Sequence, residues 1–231
     1  MQKEHILFDG FKIIQDDNYL KLTQDTALLS DFAKVKKGER VFDIGVGVGS
    51  LSLLLLVKNP GIYTNGIEIL PGAAEIAKEN FRINGFENVA DVRVGDLKDI
   101  RDTGDDKYEV CVSNPPYFDK SRGKTSKNDT VAASRAEENS DIFDVVKAAK
   151  CVLKWGGRLY FCYKPERIES AMKALFQNNF AVKRMQFVHQ KRNKPANLVM
   201  IEARFGGGEW MDIEPPIIIE ELGPTSPAIC R

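Results

Sequence analysis

Arg40-Val-Phe-Asp43-Ile-Gly45-Val-Gly47-Val-Gly49-Ser50 is the stretch that decides the fold. Residues 40–44 read as a short apolar strand that runs straight into glycines at alternate positions. Residues 50–58 (SLSLLLLVK) read as an apolar helix. At such a strand-to-helix junction, glycines let the backbone approach a ligand closely and the helix start offers free amide donors. The spacing departs from a dinucleotide fingerprint, whose third glycine would fall at position 50, where Ser50 stands. Instead, Asp43 lies two residues before the first glycine. An acid at that point repels a pyrophosphate but can bind an ammonium group.

Outward from this junction the rhythm is strand and helix in alternation. Strands are expected at 62–69, 89–94, 108–113 and 157–163, with helices at 71–84, 140–153 and 165–177. Pro71 opens the first of these helices and Asn84-Gly85 stops it. Alternation of this kind predicts a mostly parallel sheet with helices on both faces. Two further strands, 180–188 and 196–205, predict an antiparallel hairpin at one edge. Upstream, 11–22 reads as a short hairpin turning at Asp16-Asp17-Asn18, and 23–35 as an amphipathic helix. The organisation expected is an extension over 1–39, a main domain over 40–205 and a loosely ordered tail over 206–231.

The bulk numbers fit one α/β domain. The 231 residues are 43% hydrophobic and 29% charged, as in ordinary globular proteins. No run approaches the roughly 18–20 apolar residues of a membrane helix. The start, MQKEHILFDGFKII, does not read as a secretory signal. Four cysteines show no CxxC pair and no ligand spacing with His5 or His189, so neither a metal site nor disulfides are expected. A reducing cytoplasm is the expected setting. Formal net charge is zero, yet 120–127 (KSRGKTSK) and 183–194 (KRMQFVHQKRNK) are locally basic.

Two more acids end strands. Glu68 closes the second strand, where a carboxylate can accept both hydroxyls of a ribose, with Ile69 beside it. Asp96 closes the third, where it can accept from an adenine amino group, with Leu97 beside it. Asp43, Glu68 and Asp96 are thus spaced for the amino acid, ribose and adenine parts of one ligand.

Asn114-Pro115-Pro116-Tyr117 follows the fourth strand. The prolines fix the backbone, so the Asn114 side chain and the Pro115 carbonyl can be held at defined angles. Both oxygens can accept the hydrogens of an amino group conjugated to a ring, or of an amide. Such a nitrogen has little free lone pair, and this arrangement orients it for attack on an electrophile. Tyr117 supplies a face for stacking and Phe118 can line the same opening.

The glycine run and the three acids resemble the class I, Rossmann-like S-adenosylmethionine methyltransferases. The resemblance implies S-adenosylmethionine held by Asp43, Gly45, Gly47, Gly49, Glu68 and Asp96, on a seven-stranded sheet whose last strand is antiparallel. NPPY resembles motif IV of the amino-methyltransferases, which modify adenine N6, cytosine N4, guanine N2 or protein glutamine. Most of the chain is similar to a small bacterial family that methylates adenine N6 beside the anticodon of a valine tRNA. That similarity rests on DDNYLKLTQDTALLSDFA, DIGVGVGSLSL, NPPYF, Lys164-Pro165-Glu166-Arg167, PANLVMIEARFGG and PPIIIEE. It implies an RNA partner, held on the basic side chains Lys120, Arg122 and Lys124, while the second basic run fits either the same role or plain solvated surface. Within TQDTA, Thr26 looks like part of the segment that closes over the methionine end of the cofactor. One departure stands out: Arg135-Ala136-Glu137 occupies the place of an expected Arg-His-Glu.

Other acceptors fit less well. DNA adenine methyltransferases need a target-recognition domain for which there is no spare segment. The glutamine methyltransferases of release factors share NPPY but carry a separate helical domain, whereas about forty residues precede Arg40. A guanine-N2 methyltransferase of ribosomal RNA stays open. So does a non-catalytic scaffold that binds S-adenosylmethionine, although a scaffold has no use for Asn114 and Tyr117.

Overall fold

A hairpin of β1 (Gln2–Ile6) and β2 (Lys12–Asp16) starts the fold, followed by helix α1 (Gln24–Phe32). The computed structural model describes residues 2–6, 10–19, 22–102, 104, 107–115 and 141–223. Next come β3 (Arg40–Ile44), α2 (Ser50–Lys58), β4 (Tyr63–Glu68), α3 (Pro71–Ile83), β5 (Ala90–Val94) and β6 (Tyr108–Ser113). Then follow α4 (Ile142–Val152), β7 (Leu153–Tyr163), α5 (Ile168–Gln177), β8 (Phe180–His189), β9 (Ala196–Phe205) and β10 (Asp212–Ile218).

Among the described residues, eight strands make one sheet in the order β10-β8-β9-β7-β6-β3-β4-β5. Only β9 runs antiparallel to its neighbours, β7 and β8. This is the α/β, Rossmann-like architecture expected, with one strand more than the seven anticipated. The extra strand is β10, inside the stretch read as a loosely ordered tail. Pro215-Pro216 argues against a strand because proline has no amide to give to a ladder. An edge strand needs only one paired side, however, and β10 lies parallel to β8 with its register shifting between Glu214 and Ile217. Across that break the Gln186 side chain donates to the Pro215 carbonyl at 2.9 Å.

The front hairpin is also displaced from its expected place. Asp16 does turn the chain, accepting the Asn18 amide on Oδ1 at 2.9 Å. The partner of β2 nevertheless lies before it, at residues 2–6, and the strand once expected after the turn is absent from the described residues. What holds β2 is α3. Asn80, fully buried, accepts the Ile14 amide at 2.6 Å and donates to Ile14 O at 3.0 Å and Val48 O at 2.7 Å. One turn on, Asn84 accepts the Lys12 amide and donates to the Lys12 carbonyl. Two asparagines at i and i+4 thus treat the helix flank as a strand edge for β2.

Each face of the sheet carries its own apolar core. One packs α1, α2 and α3 side chains such as Leu29, Leu55 and Phe81 against Val41, Val110, Tyr160 and Met200. The other packs α4 and α5, through Val146, Ala149 and Leu175, against Ile44, Cys111, Leu159 and Phe161. Five leucines of α2 and its neighbouring serines are all buried, which accounts for its unbroken apolar sequence. No helix among the described residues is long and apolar enough to cross a membrane.

Helix α1 is fixed at both ends. Thr23 caps its start, accepting the Thr26 amide. At its far end Arg158 and Tyr160 donate to the Lys34 carbonyl and Arg184 donates to Phe32 O. These donors satisfy carbonyls that a helix terminus otherwise leaves open. Arg158 is paired to Glu39 and Arg184 to Glu202, both within partly buried surroundings. The first turn of α1 is thereby set at the carboxyl ends of the parallel strands, where the candidate site lies.

Candidate active site

Asp43 sits at the end of β3 with 1% of its surface exposed. Ser52, one turn into α2, donates its hydroxyl to Asp43 Oδ2 at 2.8 Å. The other oxygen, Oδ1, is buried without a hydrogen-bond partner, as is Ser50 Oγ. Burial pushes the Asp43 carboxyl up to about 7; the Ser52 hydroxyl pulls it back and the Glu68 charge adds to the rise.

The three glycines after Asp43 all take left-handed backbone, with φ of 78°, 58° and 86° at Gly45, Gly47 and Gly49. A side chain at these positions would be strained, which is why glycine occupies them. A Cβ at Gly45 or Gly47 would point into open space, so the outer face of the loop is accessible to a ligand. On the inner side, the Gly45 and Val46 amides both donate to Ile67 O, at 3.0 and 3.1 Å. Gly49 packs closely on Ala77 and Phe81 of α3. Beneath the loop, Gly66 of β4 leaves room that a Cβ would fill at 2.6 Å from Asp43 O and 2.2 Å from Val46 Cγ2.

Glu68 ends β4, pointing the same way. Its Oε2 accepts the Gly47 amide at 2.8 Å and its Oε1 the Leu70 amide at 2.9 Å. Burial raises its carboxyl above the usual range, and the amides of Leu70, Gly47 and Ile69 pull it back. Three amides on two oxygens leave one lone-pair direction of the carboxylate open to a hydroxyl donor. Asp96 follows β5 half-buried, accepting the Lys98 amide at 2.9 Å as the cap of a short helical turn over Leu97–Asp99. The nominated Ile69 and Leu97 lie directly after Glu68 and Asp96 along this rim.

Asn114 emerges from β6, the strand beside β3. Ser113 anchors it, donating to Ile44 O at 2.8 Å across the strand ends. The Asn114 Nδ2 donates to Thr26 Oγ1 at 2.9 Å, and the Cys162 thiol donates to Asn114 Oδ1 at 3.0 Å. Thr26, nominated as a cofactor contact, is therefore engaged with Asn114, and its hydroxyl also meets Thr23 Oγ1 at 3.1 Å. Pro115 is buried directly after it. At the same end of the sheet, burial raises the Asp25 carboxyl and the Lys164 ammonium opposes that rise.

The nominated Asp43, Gly45, Gly47, Gly49, Glu68, Ile69, Asp96, Leu97, Thr26, Asn114 and Pro115 all lie along the carboxyl ends of adjacent strands. Pro116, Tyr117, Phe118, Lys120, Arg122, Lys124 and Ala136 lie outside the described residues. The second basic run divides in two. Lys183 Nζ is bound to the carbonyls of Gly208, Glu209 and Trp210 near one end of the long β8–β9 hairpin. Lys191, Arg192 and Lys194 sit in the turn at the other end, beyond the Gln186–Met200 pair that lies level with Asn114. A ten-residue strand spans about 30 Å, so the run is no single basic surface. Among the described residues no cluster of three or more His, Cys, Asp or Glu could hold a metal ion.

Three contributors, Cys162, Ser52 and Asn80, were not singled out from the sequence. Their contacts join segments far apart in the chain, and nothing local marks them.

Parallel strands with a glycine turn, strand-end acids and an asparagine held beside them define a class I methyltransferase. The chain belongs to the methyltransferase small domain family, whose family model matches residues 21–188. A tRNA1(Val) (adenine(37)-N6)-methyltransferase of Cronobacter sakazakii is 33% identical over 52% of this chain, which spans about half (49%) of that relative's length. One of the same name from Dyadobacter fermentans is 25% identical over 94% of this chain and 89% of its own. In fold, the chain resembles a predicted O-methyltransferase of Agrobacterium tumefaciens, with a TM-score of 0.69 at 17% identity over 87% of this chain and 90% of that one.

Proposed function

We propose that this methyltransferase uses S-adenosylmethionine to methylate N6 of an adenine in tRNA, in the anticodon loop of a valine tRNA. The observation that carries the reading is the Asn114 carboxamide, held at the end of β6 beside the glycine loop and Asp43. The names of the two relatives support the choice of tRNA and of adenine.

The residues fit the cofactor the class implies. The buried, unsatisfied Asp43 Oδ1 suits an ammonium, the remaining acceptor direction of Glu68 suits a ribose hydroxyl, and the open side of Gly45 and Gly47 admits the chain between them. Asp96 and Leu97 would meet the base. When bound, S-adenosylmethionine supplies an electrophilic methyl on its sulfonium. Asn114 Oδ1 and the Pro115 carbonyl then accept the two hydrogens of the adenine amino group. Those bonds draw electron density onto nitrogen and aim it, and positioning plus electrostatics are worth several kcal/mol. No strong base is required, because the proton is acidic once the nitrogen carries the methyl.

An unpaired loop base can be splayed into such a site at lower cost than one in a duplex. Tyr117 and Phe118 would stack on it, while Lys120, Arg122, Lys124, Lys191 and Lys194 would hold phosphates either side. A tRNA substrate fits a cytoplasmic setting.

The test is incorporation from methyl-labelled S-adenosylmethionine into unmodified tRNA, with release factor, ribosomal RNA and duplex DNA in parallel. Label that digests to N6-methyladenosine from tRNA supports the reading. Label in release factor alone would make this a glutamine methyltransferase, and label in no substrate, despite cofactor binding, would point to a scaffold. Asn114→Ala should cut turnover about a hundredfold or more while cofactor affinity changes little.

A further inference from the structure

Asn114 can act as described only in one of its two amide orientations. Turned by half a rotation about its last bond, it would present its NH2 to the acceptor amino group, and two donors would face each other. Nothing in an isolated Asn-Pro-Pro-Tyr segment chooses between these states.

We propose that Thr26 and Cys162 are positioning residues that lock the Asn114 amide with its oxygen available to the acceptor nitrogen. The assignment deepens the amino-methyltransferase reading and rests on it. Two contacts, from opposite sides, favour the same orientation. On one side, Thr26 Oγ1 lies 3.1 Å from Thr23 Oγ1 and 2.9 Å from Asn114 Nδ2. Either hydroxyl can supply the proton of that threonine pair; with Thr26 as its donor, a lone pair turns toward Asn114 and only the NH2 end satisfies it. On the other side stands the Cys162 thiol, a weak donor and a weaker acceptor, 3.0 Å from Oδ1. Only the carbonyl end satisfies that.

Thiol chemistry suits this post. A hydroxyl in place of the thiol would compete strongly for the amide oxygen that the substrate must use. A weak S–H bond biases orientation and leaves the oxygen basic. Both partners are themselves rigid. Cys162 is fully buried in β7, and Thr26 is 5% exposed in the first turn of a helix pinned at both ends. The contact also joins segments 88 residues apart, so the front helix completes the catalytic amide from outside the strand that bears it.

The experiment compares Thr26→Val, Thr26→Ser, Cys162→Ala and Asn114→Ala for single-turnover methyl transfer to tRNA, cofactor Kd and tRNA Kd. Thr26→Val should slow transfer about tenfold and Cys162→Ala about threefold, with both Kd values within twofold of wild type. Thr26→Ser, which keeps the hydroxyl, should restore most of the rate. Placed on Asn114→Ala, neither change should slow transfer further, since the group they orient is gone. If Thr26→Val weakens cofactor binding in step with turnover, Thr26 is a cofactor contact and the proposal fails. It fails also if Thr26→Ser is as slow as Thr26→Val, or if both variants transfer at the wild-type rate while Asn114→Ala does not. Wild-type transfer by Asn114→Ala would instead overturn the reading on which the proposal rests.

Discussion

Ser52 Oγ donates to Asp43 Oδ2 at 2.8 Å, while Oδ1 of the same carboxylate is buried with no partner. One hydrogen bond does not offset the removal of a carboxylate from water, and the group is pushed up to about 7. The glycine loop therefore closes over an acid that gains from a cation.

Asp43 should make stability depend on pH. Between the ordinary carboxylate value and about 7, the folded chain holds a proton here that the unfolded chain has released. Stability from this site therefore falls as pH rises across that window and is level above it. Asp43→Asn should flatten the fall and gain about 2 kcal/mol at pH 8. Urea midpoints at pH 5 and pH 8 check this; an unchanged difference between the two would refute it.

Binding of the cofactor should release a proton near pH 6.5. An ammonium beside Oδ1 favours the charged carboxylate and lowers its pKa. Calorimetry in two buffers of different ionisation enthalpy measures that proton directly. No buffer dependence would place the ammonium elsewhere.

Glu68→Ala should weaken cofactor binding about tenfold to a hundredfold, since hydrogen bonds to a charged group are worth roughly 1.5–3 kcal/mol. Turnover at saturating cofactor should change little. The variant also strips the Gly47 and Leu70 amides of their acceptors. Titration calorimetry, set beside single-turnover rates, separates the two effects.

Asn80→Ala should cost about 3 kcal/mol. It leaves the Ile14 amide and the Ile14 and Val48 carbonyls without this partner, and unsatisfied buried groups cost about 1–3 kcal/mol each. Val48 belongs to the glycine loop, so cofactor affinity should fall as well. A urea midpoint within experimental error of wild type would show that the front hairpin is not docked through Asn80.

Lys191→Ala combined with Lys194→Ala should weaken tRNA binding and leave cofactor binding untouched. Arg192 in the same turn is clasped by Glu221, so it is omitted. Loss of two phosphate contacts should lower the slope of log K against log salt by about 1.4. An unchanged slope would make this turn plain surface.

Much of the sheet and its rim could be read from the chain because the signals are local. Asp43, the three glycines, Glu68 and Asp96 each end a strand that its own residues announce, and parallel strands bring such ends together. Other features depend on distant partners. The turn at Asp16-Asn18 was legible, but which strand pairs with β2 depends on Asn80 and Asn84. β10 was hidden by Pro215-Pro216, since nothing local says that a strand will lie at an edge. Thr26 drew notice as part of a segment closing over the cofactor, and its contact with Asn114 follows only from where Arg158 and Arg184 fasten the far end of α1.

β10 also changes how copies of this chain meet one another. Without it, β8 would offer ten residues of open backbone, a template on which another molecule can polymerise. β10 covers that template from Arg184 to His189, and its own edge is interrupted by Pro215-Pro216, which have no amides with which to recruit a further strand. Variants cut before Asp212 should therefore form fibrillar aggregates on mild heating at temperatures where the full chain stays monodisperse.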